Sequence, residues 1–215
     1  MTLAEEVFAP TAQEKVQEAA PEQTIPVLQT ERLRLRAPRQ SDAKAIAVLA
    51  NDLRVAANTA RLPHPYGVDD AEQFIAATNK RSGEACFAVT FEHKPIGICS
   101  IARGEDFEIG YWFGFPYWGR GFATEAARAV IDHAFGDPAQ GGLGHGGLGH
   151  EVLLSSARVS NPASRRVLEK CGFQWTGVRL HRIRAINSSA PIDQFRLDRR
   201  LWASLKSWGR AAVAV

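Results

Sequence analysis

The chain has 215 residues, 45% hydrophobic and 23% charged, with a formal net charge of +3, which fits one globular domain of ordinary size with a short tail. No apolar run reaches the roughly 18–20 residues that cross a bilayer, and the opening MTLAEEVFAP lacks the basic and apolar regions of a secretory leader, so a soluble cytoplasmic protein without a membrane partner is expected. The charge is too weak to announce nucleic acid but suits an anionic ligand such as a polyphosphate. Cys86, Cys99 and Cys171, an odd number with no CxxC spacing, argue against a disulfide framework and a zinc site and read as reduced, mostly buried thiols.

Residues 1–24 are rich in Glu, Gln, Ala and Pro without an apolar period and are expected to be a flexible tail, with the folded domain over residues 25–210. Leu33 and Leu35 alternate with Arg32, Arg34 and Arg36, the period of a half-buried strand, which Pro38 ends. Ser41 or Asp42 can cap a helix whose inner face is Ala43, Ile46, Ala47 and Ala50. Residues 53–68 hold Pro63 and Pro65 and should be partly irregular, and Asp69 with Glu72 resembles a capping box for the next helix. Residues 86–91, 96–102 and 107–113 read as an antiparallel meander. From Ala123 onward Ala126, Ala127, Val130, Ile131 and Ala134 recur at helical spacing until Gly136-Asp137-Pro138. A strand over 152–159, a helix from Pro162 to about Gly172, strands near 173–184 and 192–197 and a closing helix complete the reading.

Between the central helix and the strand at Val152 the pentapeptide Gly-Gly-Leu-Gly-His occurs twice, ending at His145 and His150. Glycine this dense orders only at a high entropic cost, so a flexible surface loop is expected in preference to a metal site built on the two histidines.

The segment Tyr117-Trp118-Gly119-Arg120-Gly121-Phe122-Ala123-Thr124 lies between a strand and a helix. Two glycines permit a tight turn, and a ligand can approach main-chain N–H groups that a first helical turn leaves unpaired, a setting suited to a pyrophosphate. No Lys-Ser/Thr pair completes a nucleotide-triphosphate loop, and the spacing is not that of a dinucleotide fold. Taken alone, such a turn is equally a tight strand-to-helix connection.

The segment resembles the Q/R-x-x-G-x-G/A acyl-CoA motif of the GNAT N-acetyltransferase superfamily, with Trp118 at the first position, Gly121 at the fourth and Ala123 at the sixth; Trp118 departs from the usual Gln or Arg. Glu108-Ile109-Gly110-Tyr111-Trp112 before it, Thr30-Glu31-Arg32-Leu33-Arg34-Leu35-Arg36 near the start, and Asn161-Pro162-Ala163-Ser164-Arg165-Arg166-Val167-Leu168-Glu169-Lys170-Cys171-Gly172-Phe173 near the end look like the RimJ/RimL branch. The resemblance implies an α/β fold in which a mixed, mostly antiparallel seven-stranded sheet with splayed middle strands is flanked by helices. It also implies acetyl-CoA as co-substrate, no metal, direct acetyl transfer to a primary amine, either a protein N-terminus or a small amine, and a monomer or homodimer.

By the same resemblance the cofactor lies along the backbone of Tyr111, Trp112 and Phe113 and against Trp118, Gly119, Arg120, Gly121, Phe122, Ala123 and Thr124, and Asn161 contacts its pantetheine arm. As a bare sequence feature, Asn161-Pro162 is also a good helix start. Direct transfer needs a neutral amine, a donor for the developing oxyanion and a proton for the departing thiolate. Glu108 is the candidate base, or else a strand-end carboxylate that is solvated or holds an arginine. A backbone N–H near Trp112 is the implied oxyanion donor. Many GNAT enzymes place a tyrosine acid where this chain has Leu168; Ser164, one turn earlier on the same helix face, is the substitute, or else a serine bonded to its own helix. His64 and Tyr66, on the irregular segment, are the candidates for contacting the acceptor, or else structural residues of that segment. The rival readings are a CoA-binding regulatory module without turnover, which release of free thiol would distinguish, and an RNA-associated protein, which the modest charge makes poor.

Overall fold

The structure, a computed structural model, describes residues 25–78, 80, 83–104, 106–138 and 146–211. The expected tail and the first pentapeptide copy, with His145, lie outside the described residues.

The alternating leucines at the start of the domain build a hairpin and not one strand. Thr30 closes a turn: its N–H donates to Leu33 O at 3.0 Å, and Leu33 N–H donates back to Thr30 Oγ1 at 2.9 Å. β1 (Leu28–Gln29) therefore pairs antiparallel with β2 (Arg34–Arg36), and the sheet has eight strands where seven were expected. A 3-10 turn over Gln40–Asp42 runs into α1 (Ala43–Ala50). There Asp42 is buried and accepts from Arg36 Nη1 and Nη2 at 2.6 and 2.8 Å and from Arg39 N–H at 2.9 Å.

The segment read as irregular contains a helical turn, α2 (Leu53–Ala56), capped by Asp52. α3 (Val68–Ala77) begins earlier than its acidic residues predict, because Gly67 is the cap and donates its N–H to Asp70 Oδ2 at 2.8 Å. β3 (Ala85–Phe91), β4 (Lys94–Arg103) and β5 (Phe107–Phe113) form the expected meander. α4 (Phe122–Phe135), β6 (Val152–Arg158), α5 (Pro162–Lys170), β7 (Gln174–Ile183), β8 (Ser188–Asp198) and α6 (Arg199–Ala211) follow.

The sheet order is β1-β2-β3-β4-β5-β6-β8-β7, antiparallel except between β5 and β6. One face, under α4, α5 and α6, carries the larger core, with Leu35, Phe87, Ile109, Leu153 and Phe195 between sheet and helices. Each such side chain contributes about 1.5–3 kcal/mol by leaving water. The other face is covered over β3 and β4 by α1 and α3, with Ala88, Ile98 and Tyr66 between. Cys86, Cys99 and Cys171 are buried and form no disulfide. Among the described residues no helix is long and apolar enough to cross a membrane.

The second pentapeptide copy is not a surface loop. Leu148 and His150 donate their N–H groups to His133 O and Ala134 O, both at 2.9 Å, at the end of α4. The His150 ring is buried, stacks on Phe107 with centroids 3.8 Å apart and sets Nε2 2.9 Å from Gly83 O. That carbonyl engages the nitrogen as a donor, and burial, the largest influence on the ring, holds its pKa below the ordinary histidine value. A packed, hydrogen-bonded aromatic ring repays the ordering cost of the glycines.

Candidate active site

The site is a failure of strand pairing. The β5–β6 register is Glu108 opposite Leu154; one residue on, Ser155 reaches Ile109 O with its hydroxyl, at 2.9 Å. Beyond that point a cavity of about 1000 Å³ opens, bounded by Gly110, Tyr111, Trp112 and Phe113 on one strand and Ser156, Ala157 and Arg158 on the other. Strand period sorts its walls. Ile109, Tyr111 and Phe113 belong to the core under α4 and α5, whereas Trp112, and with it Gly110 and Glu108, faces the side of α1 and α3.

One end of the cavity is the turn before α4. Gly119 and Gly121 have φ of 74° and 80°, left-handed conformations that glycine takes without steric cost. Gly121 O accepts from Glu125 N–H at 3.1 Å, so the amides of Phe122, Ala123 and Thr124 precede the first intrahelical donor and are free for a ligand. Gly119, Gly121, Ala123 and Thr124 line the wall with Trp118 and Phe122. Trp118 is fixed by donating Nε1–H to Phe113 O at 2.6 Å, and Phe122 is a core residue with only an edge available. The Arg120 side chain is not among the residues that line the cavity; its guanidinium lies over the rings of Phe91 and Phe122, 5.0 and 4.7 Å from their centroids. Glu125 in the first turn would repel an anion, but Thr30 Oγ1–H and Arg32 Nε–H donate to it at 2.6 and 2.7 Å. Burial opposes its charge, yet these bonds prevail and keep its pKa below the ordinary glutamate value.

On the α5 side, Asn161 caps the helix, its Oδ1 accepting from Ser164 N–H at 3.1 Å, and also lines the cavity. Ser164 Oγ is 3.0 Å from the Tyr111 hydroxyl, which also lies 3.1 Å from Ser164 O. Burial, partly offset by the Ser164 hydrogen bond, pushes the Tyr111 phenol well above the ordinary tyrosine value. Leu168 is buried in the core. The side chain of Tyr111 was missed in the sequence, where only its backbone was assigned. Alternation along 107–113 gives its face, but its partner comes from a helix beyond β6.

On the opposite side of the gap, Ser156 Oγ–H donates to Glu108 Oε1 at 2.8 Å, and Arg61 Nη2 lies 4.0 Å from Oε2. Glu108 keeps partial exposure to the cavity. Tyr66 lines the same chamber, and burial, aided by Asp70, pushes its phenol up to about 12. His64 is exposed and is not among the residues that line the cavity.

Residues 32–174 match the family described as the Acetyltransferase (GNAT) domain. Among curated proteins, the uncharacterized protein YkkB of Bacillus subtilis is 31% identical over 105 residues, 46% of this chain and 49% of that protein, so the match spans about half of that relative. Among solved structures, a GNAT-family acetyltransferase from Bacillus anthracis superposes with a TM-score of 0.67 at 20% identity, covering 81% of this chain and 99% of that one. Mycobacterium smegmatis RimJ in complex with CoA-disulfide superposes with a TM-score of 0.68 at 18% identity, covering 88% and 96%.

Proposed function

We propose that this chain, which belongs to the GNAT acetyltransferase family, uses acetyl-CoA to acetylate a primary amine. The observation that carries the reading is the gap between β5 and β6, with free helix amides at one end and Glu108 and Ser164 approaching it from opposite faces of the sheet. The cavity volume and the glycine turn fit an acyl-CoA: a diphosphate sits against amides 122–124 with no side chain in the way, and backbone of residues 111–113 faces the gap for a pantetheine amide.

Acetyl-CoA supplies the activated acetyl group. Glu108, positioned by Ser156, accepts the proton of the incoming ammonium, directly or through one water. Ser164 donates its hydroxyl proton toward the sulfur, with the Tyr111 phenol as its hydrogen-bond partner. The backbone N–H near Trp112 is the donor for the carbonyl oxygen. Asn161 orders the start of α5 and faces the pantetheine region. We place the enzyme in the RimJ/RimL-like branch, on the Gly110-Tyr111-Trp112 run and Ser164; its acceptor class is a peptide N-terminus or a small amine.

The test is release of free thiol from acetyl-CoA across a panel of peptides and small amines, with CoA affinity measured in parallel by calorimetry. Thiol release matched by acetylated product supports the reading. CoA binding with no release for any acceptor favours the non-catalytic module, and a folded protein that takes no CoA overturns both.

A further inference from the structure

Over β6, β8 and β7 the sheet face on the Glu108 side is left to polar and half-exposed side chains. Directly opposed residues of paired strands share a face. Arg158 lies opposite Ile192, and Ile192 opposite Arg179, so the two arginines flank one buried isoleucine in a row about 10 Å wide, two strand spacings. Both line the cavity, as does His181 two residues beyond Arg179. Ser156, which holds Glu108, is two residues before Arg158 on the same face, a strand repeat of about 7 Å.

Among the described residues neither Arg158 nor Arg179 makes a salt bridge. Arg158 donates Nη1–H to Ala57 O at 2.6 Å, but its Nε–H is buried with no hydrogen-bond partner. Of the two acidic residues on the cavity wall, Asp70 caps α3 and Glu108 is bonded to Ser156. Residues 57–61 close over this chamber, tied down by Arg158 at Ala57 O and by Arg184 N–H at Ala60 O, 3.2 Å.

Resting on the acetyltransferase reading, we propose that the acceptor is a compact amine carrying an anionic group, a carboxylate or a phosphate, which Arg158 and Arg179 hold while the nitrogen faces Glu108. Ser156 and Arg158 stand one strand repeat apart on the same face, so the Glu108 end and the arginine end of the chamber are neighbours. Two guanidinium groups on a cavity wall without carboxylate partners present the forked N–H donors that a carboxylate or phosphate accepts.

The experiment compares matched acceptors with acetyl-CoA: β-alanine against its amide, 2-aminoethyl phosphate against ethanolamine, a short peptide with aspartate against asparagine at its second position, and putrescine. The expected result is at least a tenfold higher kcat/KM for the anionic member of one pair; the pair that shows it identifies carboxylate, phosphate or peptide as the source. Arg158→Gln and Arg179→Gln are each expected to bring that ratio down about tenfold. Equal use of neutral and anionic members, preference for putrescine, or variants that lower both members alike would overturn the proposal. So would CoA binding with turnover of no anionic amine, whereas failure to bind CoA removes the acetyltransferase reading itself.

Discussion

Tyr111 and Ser164 stand 53 residues apart in the chain and 3.0 Å apart at their hydroxyls, one on the strand that lines the gap and the other on the helix whose usual tyrosine position is the buried Leu168. Because burial holds the phenol proton in place far above neutral pH, the pair is a neutral donor network, with Ser164 nearer the helix start and Tyr111 fixing its rotamer.

Ser164→Ala is therefore expected to lower kcat by about 10²-fold, within the usual range for a lost general acid, with little change in CoA affinity. Tyr111→Phe leaves the serine hydroxyl but not its orientation, and is expected to cost about tenfold in kcat. Steady-state kinetics with calorimetry on both variants checks this; equal effects on kcat and CoA binding would assign both residues to scaffolding.

Glu108→Gln keeps the hydrogen bond from Ser156 and removes the base. Its kcat/KM deficit is expected to be about 10²-fold near neutral pH and to shrink as pH rises toward the amine pKa, since a free amine needs no base. A pH–rate profile of the variant against wild type tests it, and a deficit constant with pH would leave Glu108 as a partner of Arg61 alone.

The strands bordering the gap were legible because their alternation is strong, and the turn at Gly119 and Gly121 because glycine before a helix has a limited set of uses. The extra strand was not: nothing in the Thr30–Leu33 spacing distinguishes a hydroxyl that closes a turn from one that faces water. Contacts made across the fold were equally hidden, among them Ser156 on Glu108, Tyr111 on Ser164 and the paired projection of Arg158 and Arg179, because each needs the β6–β8–β7 register. For Arg120, sequence position gave the turn but not the side-chain direction, which is set by the aromatic rings of Phe91 and Phe122.

Gly121→Ala places a side chain at φ of 80°, expected to cost about 1 kcal/mol of stability. The nearest atom to the added carbon is Arg32 Nη2 at 3.4 Å, so backbone strain and not collision sets the effect. Relaxing that strain moves the amides of residues 122–124, and CoA affinity is expected to fall about tenfold, equal to 1.4 kcal/mol. Denaturant unfolding and calorimetry separate the two effects.

Asp42→Ala leaves Arg36 nearly buried without its carboxylate, with an expected loss of about 3 kcal/mol. In the wild-type protein burial works against the Asp42 charge, but the hydrogen bonds from Arg36 and Arg39 outweigh it and hold the carboxyl below 3.8. A carboxyl with a depressed folded pKa stabilises fully above its unfolded value, and that contribution disappears as pH falls through the lower folded one. The stability difference between wild type and Asp42→Ala should therefore narrow below about pH 4, measured by thermal unfolding across acid pH.

The seating of His150 under Phe107 also has an evolutionary reading. The two pentapeptides are identical, so excision of either yields the same shorter chain, still ending in a histidine just before Glu151. Pro138 and Gly146 already lie side by side, close enough for the two remaining residues to bridge them. A chain shortened by five residues is thus expected to keep the His150 ring against Phe107 and to unfold at nearly the same temperature as the full chain.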